Sequence, residues 1–350
     1  MAVHNALKAL HPDHLETLWV GGEGGMETAL VERAGIPFKA IPAAGVHGVG
    51  FARLPRNLLL LARGVWASRS ILAEFKPDVL FFTGGYVAVP MALAGRKTAS
   101  LLYVPDVEPG LALKTLARFA TRITLTASES KPFFTFRTDS VVTGYPVRPE
   151  LTKWTQKAAR TALGLKSKLP ILLVLGGSKG AHSINLALRE QLAQLLEQME
   201  IIHISGESDW ATVEAFSNDL PKDLSKRYHV YPYLHDEMGA ALTVADLVVS
   251  RAGASILGEY PRFGLPAILV PYPHSWRYQK VNAEMLAKSG GALVIEDAKI
   301  KSGLYLTIEK LLESPEKLAG MHQAMQGLDV PDAAHRIAGQ LVELAGANHA

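Results

Sequence analysis

Short apolar runs alternate with helical patterns along almost the whole chain, and this alternation limits the possible folds more than any other feature. Strands separated by helices form right-handed βαβ units with parallel sheets. The predicted strands form two series: 15–20, 79–83, 100–104, 122–126 and 140–143, then 171–176, 201–205, 229–233, 247–250, 267–271 and 292–295. The sequence therefore predicts an α/β protein with two doubly wound domains that face a cleft.

The boundary between the two series is predicted in the segment 144–152, which contains two prolines. We expect an N-terminal domain over 1–146 and a C-terminal domain over 147–330. A helical pattern at 4–10 begins without the strand and glycine turn that should precede it in such a domain. The first domain is therefore expected to lack its first strand; a short N-terminal helix is the alternative.

Composition excludes several classes of protein. With 350 residues, of which 48% are hydrophobic and 20% charged, the chain is too apolar for extended disorder and long enough for two domains. A net charge of +3 is too small to indicate a nucleic-acid partner. Cysteine is absent, which excludes disulfide scaffolds, thiolate metal sites and a cysteine nucleophile.

The first candidate binding turn is Gly176-Gly177-Ser178-Lys179-Gly180-Ala181, which follows an apolar strand and opens a helix. Its glycines permit close backbone approach, the helix start directs N–H groups at an anion, and Ser178 offers a hydroxyl. The spacing is not that of a Walker A loop. An ordinary strand-to-helix turn is the alternative.

A second turn, Arg251-Ala252-Gly253-Ala254-Ser255, repeats this arrangement, and Glu259 lies one helical turn further on. A carboxylate there can accept both hydroxyls of a ribose while the helix start faces a phosphate. The alternative is a solvated helix glutamate.

After a third strand, Gln279 and Asn282 share one helical face, and amides suit sugar hydroxyls because they both donate and accept. His274, in the loop before them, is more typical of a structural histidine.

In the N-terminal domain, Gly84-Gly85-Tyr86 follows a strand and is predicted to contact the acceptor, unless it is only a tight turn. Asp106 and Glu108 follow the next strand, at the edge where ligands bind. Either carboxylate can serve as a general base, and an exposed loop carboxylate without function is the alternative.

A basic apolar segment covers 53–73, where a leucine run and Trp66 lie among arginines. Residues 33–73 hold six Lys or Arg and no Asp or Glu. This pattern suits the surface of an anionic membrane, and a core helix with a solvated basic face is the alternative. The absence of an Asp-x-Asp motif disfavours a metal-bridged sugar nucleotide, and we expect no protein metal site and no cofactor.

Taken together, these segments resemble the MurG family of UDP-N-acetylglucosamine transferases, which convert lipid I to lipid II in peptidoglycan synthesis. The blocks that carry the resemblance run nearly from end to end: 24–27, 30–31, 35–36, 76–79, 84–87, 90, 144–148, 176–181, 246–254, 279 and 282–283. The resemblance implies the GT-B fold, with a last helix at about 331–350 crossing back to the first domain. It also implies a peripheral enzyme at the cytoplasmic face of the membrane, active in cell-wall growth and division.

The resemblance also implies residue roles in binding UDP-N-acetylglucosamine. Arg148 and Ser178 are expected to contact the phosphates, the backbone near His235 to face uracil, and Gln279 to contact the transferred sugar. Phosphate and ribose are expected at the helix start formed by Gly253, Ala254, Ser255, Ile256, Leu257, Gly258 and Glu259.

Two departures concern the acceptor side. The family's first glycine-rich loop, which helps to bind the acceptor, would precede Met1. The family's His-Glu-x-Asn segment falls at 103–106, where Asp106 replaces the asparagine and Val104 the glutamate. Two alternatives therefore stay open beside lipid II synthesis: a glycosyltransferase with another lipid or glycoside acceptor, and a UDP-sugar-binding protein without catalysis.

Overall fold

The computed structural model describes residues 1–11, 15–25, 28–44, 54–136, 139–177, 180–275 and 277–347. The chain divides into two compact units. Unit 1 comprises Met1–Pro105, Pro109–Gly144 and Asp332–Ala350, and unit 2 comprises Asp106–Glu108 and Tyr145–Pro331. The chain thus passes between the units after Pro105, Glu108, Gly144 and Pro331, whereas the sequence predicted boundaries at 146 and 330.

Unit 1 is built from alternating helices and parallel strands. Its elements are α1 Ala2–Leu10, β1 Trp19–Gly22, α2 Thr28–Arg33, β2 Phe38–Ile41, α3 Leu54–Phe75, β3 Val79–Phe82, α4 Ala88–Ala94, β4 Ala99–Val104, α5 Leu111–Leu116, β5 Arg122–Leu125 and β6 Ser140–Val142. The described strands form a β1–β2 pair and a separate sheet in the order β3-β4-β5-β6. Strand β2 was not predicted, and β1 begins later than the predicted 15–20.

Unit 2 has one six-stranded parallel sheet. Its elements are α6 Gln156–Ala162, β7 Ile171–Leu175, α7 His182–Gln198, β8 Glu200–Ile204, α8 Trp210–Asn218, α9 Lys222–Ser225, β9 Tyr228–Tyr231, α10 Met238–Val244, β10 Leu247–Ser250, α11 Ile256–Phe263, β11 Ala267–Leu269, α12 Tyr278–Lys288, β12 Ala292–Val294, α13 Ile300–Leu312 and α14 Pro315–Gln326. The strand order is β12-β11-β10-β7-β8-β9. The order reverses between β7 and β10, so these two strands flank the switch point where ligands bind in such sheets.

Both faces of this sheet are covered by core residues. Alternate side chains of β7 enter opposite clusters: Ile171 and Leu173 join one, while Leu172 and Val174 join the other. A strand buried on both faces reads as an unbroken apolar run, which explains why the sequence marks β7 so clearly.

The last helix, α15 (Ala333–Gly346), belongs to unit 1 and packs against α1 and β4. Arg122, at the start of β5, donates to Glu343 (2.9 Å), Gln340 (2.9 Å) and Asp139 (3.0 Å). These contacts fasten the helix to the sheet of unit 1.

Candidate active site

The turns after β7 and β10 are neighbours, because Leu175 pairs with Ser250 at the ends of these adjacent strands. A Cβ at Gly176 would overlap the backbone of Gly180 and Ala181, and one at Gly180 would overlap the Ser205 carbonyl. Glycine is therefore required at both positions by close packing. Ser178 and Lys179, the predicted phosphate contact and its neighbour, lie outside the described residues.

Within the described part of the chain, the N–H groups of Gly253, Ala254 and Ser255 make no hydrogen bond. The N–H groups of the next four residues bond back to carbonyls of this turn, which completes the first turn of α11. A Cβ added at Gly253 would meet no atom within 4 Å. Unsatisfied N–H groups at a helix start, next to a glycine with open space at its Cβ position, form a site for an anion such as a phosphate.

The side chains that follow this turn do not all face that space. Ile256 and Leu257 are 3% and 6% exposed and belong to the core. A Cβ at Gly258 would lie 2.5 Å from the Cβ of Tyr145. Packing of the Ile256 and Leu257 side chains, and the close approach of Tyr145 to Gly258, fix the position of α11, and the predicted contact of these three residues with the donor stays a prediction.

Glu259 lies near the same helix start. Burial raises its pKa, while the positive charge of Arg148 and a hydrogen bond from Ser255 oppose the shift. Burial also raises the pKa of Tyr145 to about 12, and the negative charges of Glu259 and Asp106 add to the effect. Four titratable groups from separate segments of the sequence thus interact electrostatically within unit 2: Asp106, Tyr145, Arg148 and Glu259.

Gln279 has a structural contact that the sequence did not reveal. Its Oε1 accepts from the N–H groups of Tyr272 (2.8 Å) and Ala252 (3.3 Å). The side-chain carbonyl therefore holds the turns after β10 and β11 together, and only the amide nitrogen is left to donate to a sugar.

Asn282 was predicted to bind the donor, and in the described structure its side-chain atoms bond to protein groups. Its side chain is completely buried. Its Oδ1 accepts from the Val107 N–H (3.0 Å), and its Nδ2 donates to Asp106 Oδ1 (2.8 Å) and the Ala252 carbonyl (3.2 Å). An amide has two donor hydrogens, and both are used.

Asp106 and Glu108 belong to unit 2, although both were assigned to the N-terminal domain from sequence. The reason is that Val107, between them, lies in the core of unit 2. Burial raises the pKa of Asp106, and the hydrogen bond from Asn282 opposes the shift. Glu108 is buried, and its Oε2 lacks a hydrogen-bond partner among the described residues although Arg277 Nε is 3.5 Å away.

Two side chains to which the sequence assigned no role, Arg251 and the buried Asn185, make hydrogen bonds near this edge of the sheet. Arg251 donates to the Val270 carbonyl (3.1 Å), to Asp297 (2.5 Å) and to Ser183 (2.9 Å). Asn185 donates to the Ser205 carbonyl (2.9 Å) and to Asp209 (2.7 Å). Asn185 was detectable in principle, because a polar residue interrupts the apolar face of α7.

The remaining predicted positions are exposed. His235 lies at the surface after β9, with its ring 4.7 Å from that of Tyr233. In unit 1, Gly84 and Gly85 have φ of 111° and 83°, so the turn requires glycine, and the Tyr86 side chain is exposed.

Helix α3 in unit 1 combines exposed arginines with exposed apolar residues. Leu59 and Trp66 are 61% and 73% exposed, and Arg56, Arg63 and Arg69 are exposed among them. A groove of about 420 Å³ lies beside the helix, lined by Pro42, Ala62, Arg63, Trp66 and Ala67. Arg53 lies outside the described residues. Of the helices that the structure describes, none is both long and apolar enough to cross a bilayer.

Over the described ranges, no cluster of three His, Cys, Asp or Glu side chains is arranged to hold a metal ion. The candidate site comprises backbone N–H groups, arginines, carboxylates and amides at the carboxyl edge of the sheet in unit 2.

The architecture is that of the GT-B class. A crystal structure of MurG from Acinetobacter baumannii matches with a TM-score of 0.74 and 24% identity, covering 97% of this chain and 95% of that one. UDP-GlcNAc 2-epimerase from Neisseria meningitidis matches with a TM-score of 0.68 and 14% identity, covering 98% and 95%. These similarities confirm the predicted fold class of two Rossmann-like domains.

Sequence relatives identify the family. The glycosyltransferase family 28 N-terminal domain matches residues 1–125, and the C-terminal domain of that family matches 171–337. A UDP-N-acetylglucosamine–N-acetylmuramyl-(pentapeptide) pyrophosphoryl-undecaprenol N-acetylglucosamine transferase from Roseiflexus sp. is 41% identical, covering 92% of this chain and 82% of the relative. One from Desulforudis audaxviator is 36% identical, covering 99% and 94%. The chain belongs to this transferase family, the MurG family, as the resemblance predicted.

Proposed function

We propose that the chain transfers N-acetylglucosamine from UDP-N-acetylglucosamine to the lipid-linked N-acetylmuramyl-pentapeptide, with inversion at the anomeric carbon. One observation carries the donor half of this proposal. The N–H groups of Gly253, Ala254 and Ser255 make no hydrogen bond among the described residues, a Cβ at Gly253 would meet open space, and the turn lies at the switch point of a parallel sheet with Glu259 one helical turn further on. A nucleoside diphosphate has the charge and the hydroxyls that this set of groups can bind.

The donor half of the mechanism follows from the charges. The helix start of α11 and Arg148 stabilise the diphosphate as negative charge grows on the departing UDP. Glu259 accepts the ribose hydroxyls, Gln279 donates to the transferred sugar, and Ser178 adds a hydroxyl to the phosphates. The proposal needs no metal cofactor, because these groups supply the positive potential that the leaving diphosphate requires.

The acceptor hydroxyl must lose its proton as it attacks, and the proposal gives this role to a carboxylate of the Asp106–Glu108 segment. Burial, which raises the pKa of Asp106, makes it a stronger base once ionised. A general base contributes about 10²–10⁴-fold to turnover. Gly84, Gly85 and Tyr86 are proposed to contact the acceptor.

Exposed groups on α3 support peripheral binding to the cytoplasmic face of the membrane, where the lipid-linked acceptor is found. Trp66 and Leu59 offer apolar surface, and the neighbouring arginines attract anionic lipid headgroups. Co-sedimentation with phosphatidylglycerol vesicles tests this role. The Leu59→Ser/Trp66→Ser variant is expected to bind at least about tenfold more weakly. Leu306→Ser, which changes an exposed leucine of unit 2, is the control and should bind like the unsubstituted protein.

The activity is tested by measuring UDP release from UDP-N-acetylglucosamine with lipid I, with diacylglycerol and without acceptor. Release that depends on lipid I supports the proposal. Release with diacylglycerol alone would indicate a different acceptor. UDP binding without release with any acceptor would indicate a sugar-nucleotide-binding protein without catalysis.

A further inference from the structure

Asn282, on α12, joins two parts of the candidate site through a single side chain. Its Nδ2 donates both to Asp106 Oδ1 (2.8 Å) and to the carbonyl of Ala252 (3.2 Å). Its Oδ1 accepts from the N–H of Val107 (3.0 Å). The segment with the candidate base and the turn with the candidate phosphate site are therefore held by the same amide.

Both ends of this connection are rigid. Ala252 immediately precedes Gly253, is completely buried, and gives its own N–H to Gln279, one turn earlier on α12. Val107 is 3% exposed and packs in the core of unit 2. A shift of Asn282 would therefore move Asp106 relative to the N–H groups of Gly253–Ser255.

An amide side chain satisfies all three contacts. The carboxylate and the carbonyl both need a donor, and the Val107 N–H needs an acceptor, so the site requires two donor hydrogens and one oxygen. Aspartate supplies only oxygens when ionised, and leucine supplies no polar atom. Because the side chain is completely buried, water does not replace a lost contact without cost.

We propose that Asn282 is a positioning residue. It holds the Asp106 carboxylate at a fixed position relative to the turn Gly253–Ser255, and therefore fixes the base relative to the phosphates of the bound donor. This inference rests on the proposed function, because it takes Asp106 as the base. Asn282 itself does not touch the substrate.

The first test is the pH profile of kcat for Asn282→Asp. The substitution places a second carboxylate within hydrogen-bond distance of Asp106, and two such groups share a proton instead of both ionising. The acid limb of kcat is expected to move to higher pH by about 1 unit or more, while KM for UDP-N-acetylglucosamine changes less than kcat. An unmoved limb, even with a reduced kcat, would overturn the proposal, because a purely structural role predicts that result.

A matched control exists in the same unit. Asn185 is also buried and also donates from one amide to a carboxylate, Asp209, and to a backbone carbonyl. Asn185→Asp makes the same chemical change away from Asp106. Its acid limb is expected to stay where it is in the unsubstituted protein; an equal shift in both variants would also overturn the proposal.

The Asp106→Asn/Asn282→Asp double variant exchanges the two partners. It restores an amide-to-carboxylate hydrogen bond, so its thermal midpoint is expected to rise above that of Asn282→Asp. Its kcat should stay about 10²–10⁴-fold low, because the carboxylate now lies at a completely buried position. Recovery of kcat together with stability would show that the pair serves folding alone.

Failure of the proposed function gives a different result. If Asp106→Asn alone keeps full kcat, or if the unsubstituted protein releases no UDP with lipid I, the assumed reaction or base is wrong. The pH profiles of the Asn282 variants bear on positioning only when Asp106→Asn has lost activity.

Discussion

The substitution Gly253→Ala tests whether the open space at the turn after β10 binds a ligand, because it should affect ligand binding without affecting protein packing. The added Cβ would meet no protein atom within 4 Å, so folding stability should change by less than about 0.5 kcal/mol. The methyl group would instead enter open space next to the Gly253 N–H, which is one of three N–H groups without hydrogen-bond partners in the described chain. Hydrogen bonds to a charged group contribute about 1.5–3 kcal/mol each. Displacing the diphosphate from one of them should therefore weaken binding by at least about tenfold.

The assay is isothermal calorimetry of UDP-N-acetylglucosamine binding, with thermal denaturation of the same samples. Gly320→Ala is the matched control, because a Cβ there also meets open space but lies on α14, away from the turn. It should leave binding unchanged and raise helix stability by about 0.5–1 kcal/mol. Equal donor affinity for Gly253→Ala and the unsubstituted protein would refute the assignment of this turn to the phosphates.

Three further predictions concern stability. Burial raises the pKa of Glu259, so the folded state binds more protons than the unfolded state and becomes less stable as pH rises above the ordinary pKa of 4.5. The Glu259→Gln variant should therefore melt at a higher temperature than the unsubstituted protein at pH 8, and this difference should fade toward pH 4. Burial lowers the pKa of His203 to about 4, so folding stability should fall as pH drops from 6.5 toward 4. In thermal melts, His203→Gln should reduce this dependence of stability on pH. An unchanged dependence would contradict the role given to His203. Arg122→Ala should destabilise the attachment of α15 by at most about 1 kcal/mol, because the carboxylate partners of Arg122 are largely exposed. Hydrogen exchange of residues 333–346 should then rise about fivefold. An equal rise across unit 1 would argue against a local role for Arg122.

The inner strands of unit 2 were predictable because they are buried on both faces. Leu172 and Leu173 enter opposite cores, so the run is apolar at every position. Strand β2 was missed because its four residues are too few for a clear pattern and include the half-buried Lys39 and the exposed Ala40. Burial on one face of a short strand leaves too few apolar positions to recognise.

Helical spacing predicted that Gln279 and Asn282 share a face, and the structure shows both amides bonded to Ala252, one to its N–H and the other to its carbonyl. The spacing correctly indicated that the two amides share a face, but it did not indicate whether they contact a ligand or the protein backbone. Whether an amide faces a ligand or a backbone depends on which loop the fold brings opposite to it.

The sequence by itself determined the parallel α/β architecture, the glycine turns at strand ends and the family, because burial patterns and turn chemistry are local properties. Only the tertiary structure decided that Asp106 belongs with the donor unit and that Asn282 holds it. These partners are 176 residues apart in sequence. The contact between them depends on which core Val107 packs into, and no local sequence pattern determines that packing.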